Sequence, residues 1–440
     1  MNYSEVIDYL YASQPVFHIV GSSAYKPGLA NTYRLMEHLG NPHQGLRFVH
    51  VAGTNGKGST SHLLAAVLQA AGYKVGLYTS PHLVDFRERI RVNGAMISEQ
   101  VVIRFVEENR AILEEIKPSF FETTMAMAFS YFAEQQVDIA VVEVGLGGRL
   151  DSTNIITPLV SVITNIGLDH TELLGNSLFA IASEKAGIIK PNVPCVIGET
   201  QSETAPVFIS RASECDILGA GLETTNCKIW FADQCGYLRS RRLREVPQCQ
   251  LQGIYQEKNM QTAYVALQVL AHYSPFRISS EAIAYGFANV CDMTGLRGRW
   301  EIVEHNPLVI CDTGHNSHGI RYVSEQLQRT MASAESGAVL RIVFGMVNDK
   351  DVDVVLQMMP SEAVYYFTQA HTHRAIAAGD LQALWRRLHT TNPEKDNSHV
   401  YASVAEAIRA VKLDANKDDV IFVGGSNYVV GEMLSCWQLL

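Results

Sequence analysis

The sequence predicts an α/β protein of two domains. The first is an N-terminal, P-loop-type, mostly parallel sheet flanked by helices. The second is a smaller C-terminal Rossmann-like α/β domain. Three observations carry this. At 440 residues the chain exceeds what one hydrophobic core usually organises. Short apolar runs end repeatedly in polar, glycine-rich loops followed by helical periodicity, as parallel strands with crossover helices do. After a turn-rich stretch at 291–299, CDMTGLRGR, the same alternation restarts. The division expected is residues 1–292 and 298–440.

Taken in order, residues 3–11 and 32–39 have helical periodicity. Between them the loop 21–29, GSSAYKPGL, reads equally as punctuation or as a functional loop. Residues 48–60, FVHVAGTNGKGST, are the organising stretch. Phe48, Val49 and Val51 make a buried strand, Gly53, Gly56 and Gly58 surround Lys57, and Ser59 and Thr60 open an amphipathic helical run at 63–71. Strand, glycine loop, lysine, hydroxyl and helix form the layout of a phosphate cradle: backbone N–H groups approach the anion, the helix N-terminus adds positive potential, and the lysine adds a cation. The spacing departs from GxxxxGK, because Val51 takes the first glycine's place and Gly58 separates Lys57 from Ser59. Residues 73–78, YKVGLY, supply the next strand and complete a parallel βαβ unit.

Residues 79–94, TSPHLVDFRERIRVNG, read either as a solvated hairpin or as a functional loop. Arg87, Arg89 and Arg91 alternate with Glu88 and Ile90 just past a strand's carboxyl end, which favours function. Helices follow at 99–117 and 123–135. The strand 138–144 ends in GLGGRLDSTN, the strand 159–163 ends in TNIGLDH, and a helix runs through SEKAGII. From 195 to 249 the signal weakens to short strands and turns (CVIG, CKIWFA, GYLRSRRL) with no chemistry legible. Residues 251–267 read as loop then helix, with Asn259 near the helix start. In the second domain, strands are expected at 308–311, 340–344, 364–368 and 420–423, ending near Asp312, Asp349 to Asp351, His371/His373/Arg374 and Gly424-Gly425-Ser426.

Composition narrows the class. No apolar run reaches the roughly 18 residues that span a bilayer, and the first residues, MNYSEVIDYLYAS, lack a basic n-region, so neither membrane insertion nor a signal peptide is expected. Eight cysteines without a CxxC pair point to a reducing, cytoplasmic setting and away from zinc knuckles or a disulfide scaffold. A net charge of −10 speaks against a nucleic-acid partner.

The chemistry-bearing residues gather at strand ends. Glu143 closes a buried strand near Lys57, Asp169 and His170. A carboxylate, an imidazole and a hydroxyl there suit a hard divalent ion with open water and phosphate positions. Lys185 is either a helix-surface lysine or one aimed at that edge. In the second case an unmodified ammonium would repel Mg²⁺, so it would contact phosphate or carry a charge-inverting modification. Asp312, His315 and Asn316 form a second polar cluster, and a site shared across a cleft between the domains is the economical expectation.

The motifs HVAGTNGKGST, TSPHLVDFRERIRVNG, FFETTMAMAF, VEVGLGGRLDSTN, ITNIGLDH…LLG…IASEKAGIIK, LQGIYQEKN, RGRWE and DTGHN occur in order. In this the chain resembles the folylpolyglutamate synthase/dihydrofolate synthase family of the Mur ligase superfamily, from about residue 26 to the C-terminus. The resemblance implies an ATP- and Mg²⁺-dependent ligase joining L-glutamate to dihydropteroate or folates through an acyl phosphate, commonly as a monomer. It implies that Asn55, Gly56, Lys57, Gly58 and Ser59 cradle ATP phosphates, with Asn259, Arg299, Asp312 and His315 completing the nucleotide set. Ser80, Glu143 and His170 would hold Mg²⁺, and Lys185 would be a carbamate. Gly28, Leu29, Pro81, His82, Phe121, Glu122, Asp151 and Ser152 would line the pterin or folate pocket. Lys57, Lys185 and His170 would be the catalytic set. One motif departs: the family usually reads DGAHN followed by proline, where this chain has Asp312-Thr313-Gly314-His315-Asn316-Ser317. The alternatives are a muramyl peptide ligase on a cell-wall precursor, disfavoured by the SPHL…RERI stretch and by how early Lys57 falls, and a P-loop kinase or NTPase, which needs no second α/β domain.

Overall fold

The computed structural model describes residues 1–14, 28–219, 228–235, 248–348, 351–389 and 396–439. Two compact units form. The first comprises Met1–His82, Arg87–Gln250 and Gln256–Leu296, and the second Leu83–Phe86, Leu251–Tyr255 and Arg297–Leu440. Two short segments thus join the second unit from inside the span expected for the first domain, each for a local reason. Gly431 approaches Leu83 so closely that an added Cβ would lie 2.3 Å from the Leu83 carbonyl oxygen. Ile254 N–H donates to Gln326 Oε1 at 2.7 Å, and Tyr255 Oη donates to Asp312 Oδ2 at 2.5 Å.

The first unit is built on eight strands: β1 Phe48–Ala52, β2 Val75–Tyr78, β3 Ile90–Val92, β4 Ala95–Met96, β5 Ile139–Glu143, β6 Val160–Ile163, β7 Cys195–Ile197 and β8 Ile229–Phe231. They lie in the order β4-β3-β2-β5-β1-β6-β7-β8. β1 is central and runs parallel to β5 and β6, with Val51 opposite Glu143 on one side and Ala52 opposite Ile163 on the other. This register brings the loops after β1, β5 and β6 to one edge, where open parallel sheets bind ligands. β3 is antiparallel to both β2 and β4. The arginine stretch is therefore part of the sheet, and Arg89 and Arg91 are buried, which removes the solvated-hairpin reading.

The helix after β1, Lys57–Ala70, is buried on every face from Ser59 to Leu68 rather than amphipathic. Helices Gln256–Tyr273, Ser280–Ala288 and Val290–Thr294 pack on it, so its periodicity has no solvent side to report. Gly286 is where one of them approaches closest; a Cβ there would meet the Val67 backbone at 2.7 Å. Between β7 and β8 the helix Ala205–Gly219 was not anticipated. Its signal is present: Phe208, Ala212 and Cys215 recur at helical spacing and are all buried. The segment GYLRSRRL lies outside the described residues, as do Asp349 and Lys350.

The second unit has strands β9 Glu301–His305, β10 Leu308–Asp312, β11 Leu340–Phe344, β12 Val364–Phe367, β13 Ser398–Val400 and β14 Val420–Gly424, ordered β13-β12-β11-β14-β10-β9. β9 pairs antiparallel with β10; the other pairs are parallel. Alternate residues feed two cores, Ile310, Ile342, Phe344 and Phe422 on one face and Val309, Val343, Ile421 and Val423 on the other. That two-faced burial is the Rossmann-like arrangement expected. The sequence reading missed β9 and β13, the two edge strands. Both are partly exposed and carry polar residues, so they lack the continuous apolar run of the inner strands. Among the described residues no helix is long and apolar enough to cross a membrane, and no disulfide joins the seven described cysteines.

Candidate functional site

The loop after β1 is shaped by the loop after β6. Thr54 N–H donates to the Asn165 carbonyl at 2.9 Å, Asn55 N–H to Asn165 Oδ1 at 2.9 Å, and Thr164 Oγ1 to the Asn55 carbonyl at 2.6 Å. Asn55 therefore spends its backbone on holding the loop rather than on presenting an N–H to a ligand. Gly53 permits the approach, since a Cβ there would fall 1.9 Å from Thr164 Oγ1. Gly56, at φ +80°, turns the chain into the helix that begins at Lys57. The first N–H groups of such a helix have no intrahelical acceptor, which leaves them to an anion. Gly58 and Ser59 lie in this first turn.

Two lysines converge on one carbonyl. Lys57 Nζ donates to Gly53 O at 3.0 Å and Thr54 O at 3.1 Å, and Lys185 Nζ donates to the same Gly53 O at 2.8 Å. Lys185 is 4% exposed, so the helix-surface alternative is excluded. Burial, followed by the charge of Lys57, pushes its pKa down to about 7. It is held there because its helix, Leu178–Ala186, meets the glycine-rich loop backbone to backbone. A Cβ on Gly148 would lie 2.8 Å from the Glu184 carbonyl oxygen, and one on Gly187 would lie 2.4 Å from Arg149 Cα. Lys57 and Lys185 line a pocket with Gly53, Gly145, Asp169 and His170.

The metal expectation rests on Ser80, Glu143 and His170. Glu143 ends β5, is buried, and its Oε2 accepts the Ser80 N–H at 3.0 Å. His170 adopts a left-handed conformation at φ +51°, and its N–H donates to Asp169 Oδ1 at 2.9 Å. Among the described residues no group of three His, Cys, Asp or Glu side chains could hold a metal unaided. A carboxylate, an imidazole and a hydroxyl beside a phosphate cradle nonetheless fit Mg²⁺, which keeps several positions for water and phosphate oxygens.

The residues expected around the pterin divide by what they touch. The Phe121 ring packs on Tyr78 at 5.7 Å between centroids and against Gly145, where a Cβ would collide with it at 2.5 Å. Pro81 follows Ser80, and His82 Nδ1 accepts from Arg89 Nε at 2.8 Å, which leaves the ring proton on Nε2, 3.4 Å from Tyr11 Oη. Arg89, from the arginine stretch, is buried with its guanidinium 5.2 Å from the Phe120 ring centroid. Glu122 and Asp151 are turned inward instead. Glu122 is the reciprocal partner in the Ser119 capping box and accepts from Thr32 Oγ1 at 3.0 Å. Asp151 accepts from Leu146 N–H at 2.8 Å and from Thr153 N–H at 3.0 Å, and it caps the short turn in which Ser152 sits. Both carboxylates hold local backbone in shape, Glu122 at a helix start and Asp151 at the turn after the glycine loop. Leu29 precedes the helix Ala30–His38, Gly28 has φ +103°, and the loop before them lies outside the described residues.

In the second unit Asp312 ends β10 fully enclosed. Its carboxylate accepts from Tyr255 Oη, from Trp300 N–H at 2.7 Å and from Gly314 N–H at 2.7 Å, while burial raises its pKa. Arg299 Nη1 donates to Thr313 Oγ1 and to the Gly298 carbonyl. His315 Nδ1 donates to the Thr313 carbonyl at 2.9 Å. Thr313, the departure in the motif, thus ties Arg299 to the loop that carries His315. Asn259 is in the first unit, against Gly56. Gln256, Asn165 and Tyr255 support Ser59, Asn55 and Asp312 through side-chain amides and a phenol; they fall within the motifs LQGIYQEKN and ITNIGLDH, but their partners lie far off in the sequence.

A phosphate cradle at the edge of one parallel sheet and a second Rossmann-like unit define a class, nucleotide-dependent ligases of Mur type, and comparison with known proteins agrees. Residues 51–240 match the Mur ligase middle domain and residues 298–427 the Mur ligase, glutamate ligase domain. The chain is 32% identical over 422 residues to the dihydrofolate synthase/folylpolyglutamate synthase of Bacillus subtilis, covering 93% of this chain and 94% of that protein. It superposes with a TM-score of 0.81 on Escherichia coli FolC in complex with DHPP and ADP, at 29% identity, covering 100% of this chain and 98% of that one. The same score, identity and coverage hold for a bifunctional folylpolyglutamate synthase/dihydrofolate synthase with Mn, AMPPNP and L-glutamate bound. The chain belongs to the dihydrofolate synthase/folylpolyglutamate synthase branch of the Mur ligase family.

Proposed function

We propose that this chain uses ATP to join L-glutamate to dihydropteroate, to folylpolyglutamates, or to both, releasing ADP and phosphate. The observation that carries the reading is the meeting of Lys57 and Lys185 on the Gly53 carbonyl, at the sheet edge that Glu143 and His170 share. A carboxylate is a poor acyl donor because its leaving group would be oxide. Transfer of the γ-phosphoryl group makes an acyl phosphate, which the glutamate amine attacks with release of phosphate. Lys57 would exchange its two carbonyl acceptors for phosphate oxygens, trading neutral hydrogen bonds for charge-assisted ones and offsetting charge on the transferring group. Mg²⁺, held by Ser80, Glu143 and His170, would neutralise further phosphate charge. Lys185, deprotonated above about pH 7, offers a neutral amine that can add to carbon dioxide, its N–H proton passing to solvent. The resulting anionic carbamate suits a metal edge where an ammonium does not. Phe121, Pro81 and His82 would contact the pterin, while Glu122 and Asp151 shape its pocket.

In this reading the first unit carries cradle and pterin pocket, and Arg299, Asp312 and His315 are candidate nucleotide contacts within the second. Eight cysteines without a CxxC pair favour a reducing location, the cytoplasm, and a monomer is the working state in this reading. Phosphate release from ATP and Mg²⁺ with glutamate, comparing dihydropteroate and tetrahydrofolate, tests the proposal. Release with both is the expected outcome. Release with neither would overturn it, and release with tetrahydrofolate alone would confine the activity to folate elongation.

A further inference from the structure

Gln256 opens the helix Gln256–Tyr273 and is 1% exposed. Its Nε2–H donates to Ser59 Oγ at 3.1 Å, and its Oε1 accepts from Asn259 Nδ2 at 2.8 Å. Asn259 in turn lies over Gly56, where an added Cβ would sit 2.1 Å from Asn259 Oδ1. All four residues belong to the first unit. One buried amide therefore joins the start of the Lys57–Ala70 helix to the side chain that covers the loop entering it, across 197 residues of sequence.

The direction of these bonds matters. A hydroxyl that accepts from an amide N–H keeps its own proton to give away. Ser59, held in this way, is set as a donor at the mouth of the cradle. Asn259, with one N–H taken by Gln256, keeps its Oδ1 turned to the glycine loop. We propose that Gln256 is a positioning residue for the nucleotide: it presets the Ser59 hydroxyl as a hydrogen-bond donor to a phosphate oxygen and fixes Asn259 against Gly56. The proposal rests on the reading of residues 56–59 and Asn259 as the nucleotide site.

Two variants separate this role from support of the fold. Gln256→Met retains most of the volume and removes both hydrogen bonds. Gln256→Glu retains the acceptor toward Asn259, loses the donor toward Ser59, and covers the case in which the first variant does not fold. With AMPPNP and Mg²⁺ as the probe, calorimetric titration of the full chain is expected to show a Kd raised about tenfold in either variant, the scale of one or two buried hydrogen bonds. The KM for ATP rises with it, while the KM for dihydropteroate stays within about twofold, because the two ligands use different residues. In a Ser59→Ala background, Gln256→Met adds less than it does in wild type, since one of the two partners it positions is gone. Nucleotide affinity equal to wild type overturns the proposal. So does a joint rise of both KM values with a lowered melting temperature, which marks a merely structural role, and so does full additivity with Ser59→Ala. A wild-type chain with no affinity for AMPPNP overturns the nucleotide reading itself, and this inference with it.

Discussion

Lys185 shows how one residue can be costly to the fold and useful to the chemistry. Its pKa falls from the ordinary 10.5 to about 7 on burial. Between those values the unfolded chain binds the proton that the folded chain has given up, so the stability contributed at this position rises with pH. Below about pH 7 the folded chain carries the full cost of a buried ammonium. Replacement by Met removes that cost at neutral pH and deletes one of the donors to Gly53 O, whose other donor, Lys57, remains. Lys185→Met is therefore expected to melt at or above the wild-type temperature at pH 7, with the advantage shrinking toward pH 10.5. Ligation should fall by roughly a hundredfold or more, as for loss of an electrostatic catalytic group. Thermal melts at several pH values with parallel phosphate-release assays check both halves. A variant that is active and less stable at pH 7 contradicts the burial argument. The lysine was legible in the sequence through its motif. Its burial was not, because ASEKAGII has no local feature that distinguishes a surface from a pocket position.

At the scale of elements, the site is set by backbone-to-backbone packing. The helix Leu178–Ala186 and the loop after β5 touch at Gly148 and Gly187, with Arg149 N–H donating to the Glu184 carbonyl at 2.8 Å. Arg149 and Glu184 also form an ion pair at 2.7 Å, more than half exposed on the arginine side and so worth little by itself. The loop's far end is pinned by Asp151 through Thr153, whose hydroxyl lies 2.8 Å from Nε2 of the buried His50 on β1. Gly187→Ala must push the helix from the loop and is expected to cost about 1–3 kcal/mol. It should also lower turnover by displacing Lys185, two residues earlier. Chemical denaturation and a ligation assay on the same preparation test this, and an unchanged denaturation midpoint would show that the contact yields freely. The glycines of GLGGRLD were visible in sequence; what they make room for was not, since the helix that fills the space lies more than thirty residues on.

At the scale of the molecule, the metal donors are too few to hold an ion without help, as no three His, Cys, Asp or Glu side chains converge among the described residues. Phosphate oxygens must complete the shell, so metal and nucleotide are expected to bind together. EDTA alone should leave the melting temperature unchanged. AMPPNP with Mg²⁺ should raise it, by the equivalent of about 2.7 kcal/mol at a hundredfold excess over Kd, and AMPPNP with EDTA should raise it far less. Equal stabilisation with and without Mg²⁺ would remove Ser80, Glu143 and His170 from the proposed site.

The inner strands and the loops after them, the glycine loop around Lys57, the acidic strand end at Glu143 and the restart of the alternation near residue 298 are all legible in the sequence. Each is written locally, in the period of apolar residues or in glycines at fixed offsets. Only the tertiary structure shows which polar groups of the motifs are engaged by the fold itself. The Asn55 N–H is engaged by Asn165, the Glu122 carboxylate by Ser119 and the Asp151 carboxylate by Thr153. Gln256 and Tyr255 lie in LQGIYQEKN and Asn165 in ITNIGLDH, but nothing in those motifs shows that they hold Ser59, Asn55 and Asp312. The physical reason is that a buried polar group must find a partner, and the partner that satisfies it is chosen by proximity in space, which the chain reaches only after the sheets have formed.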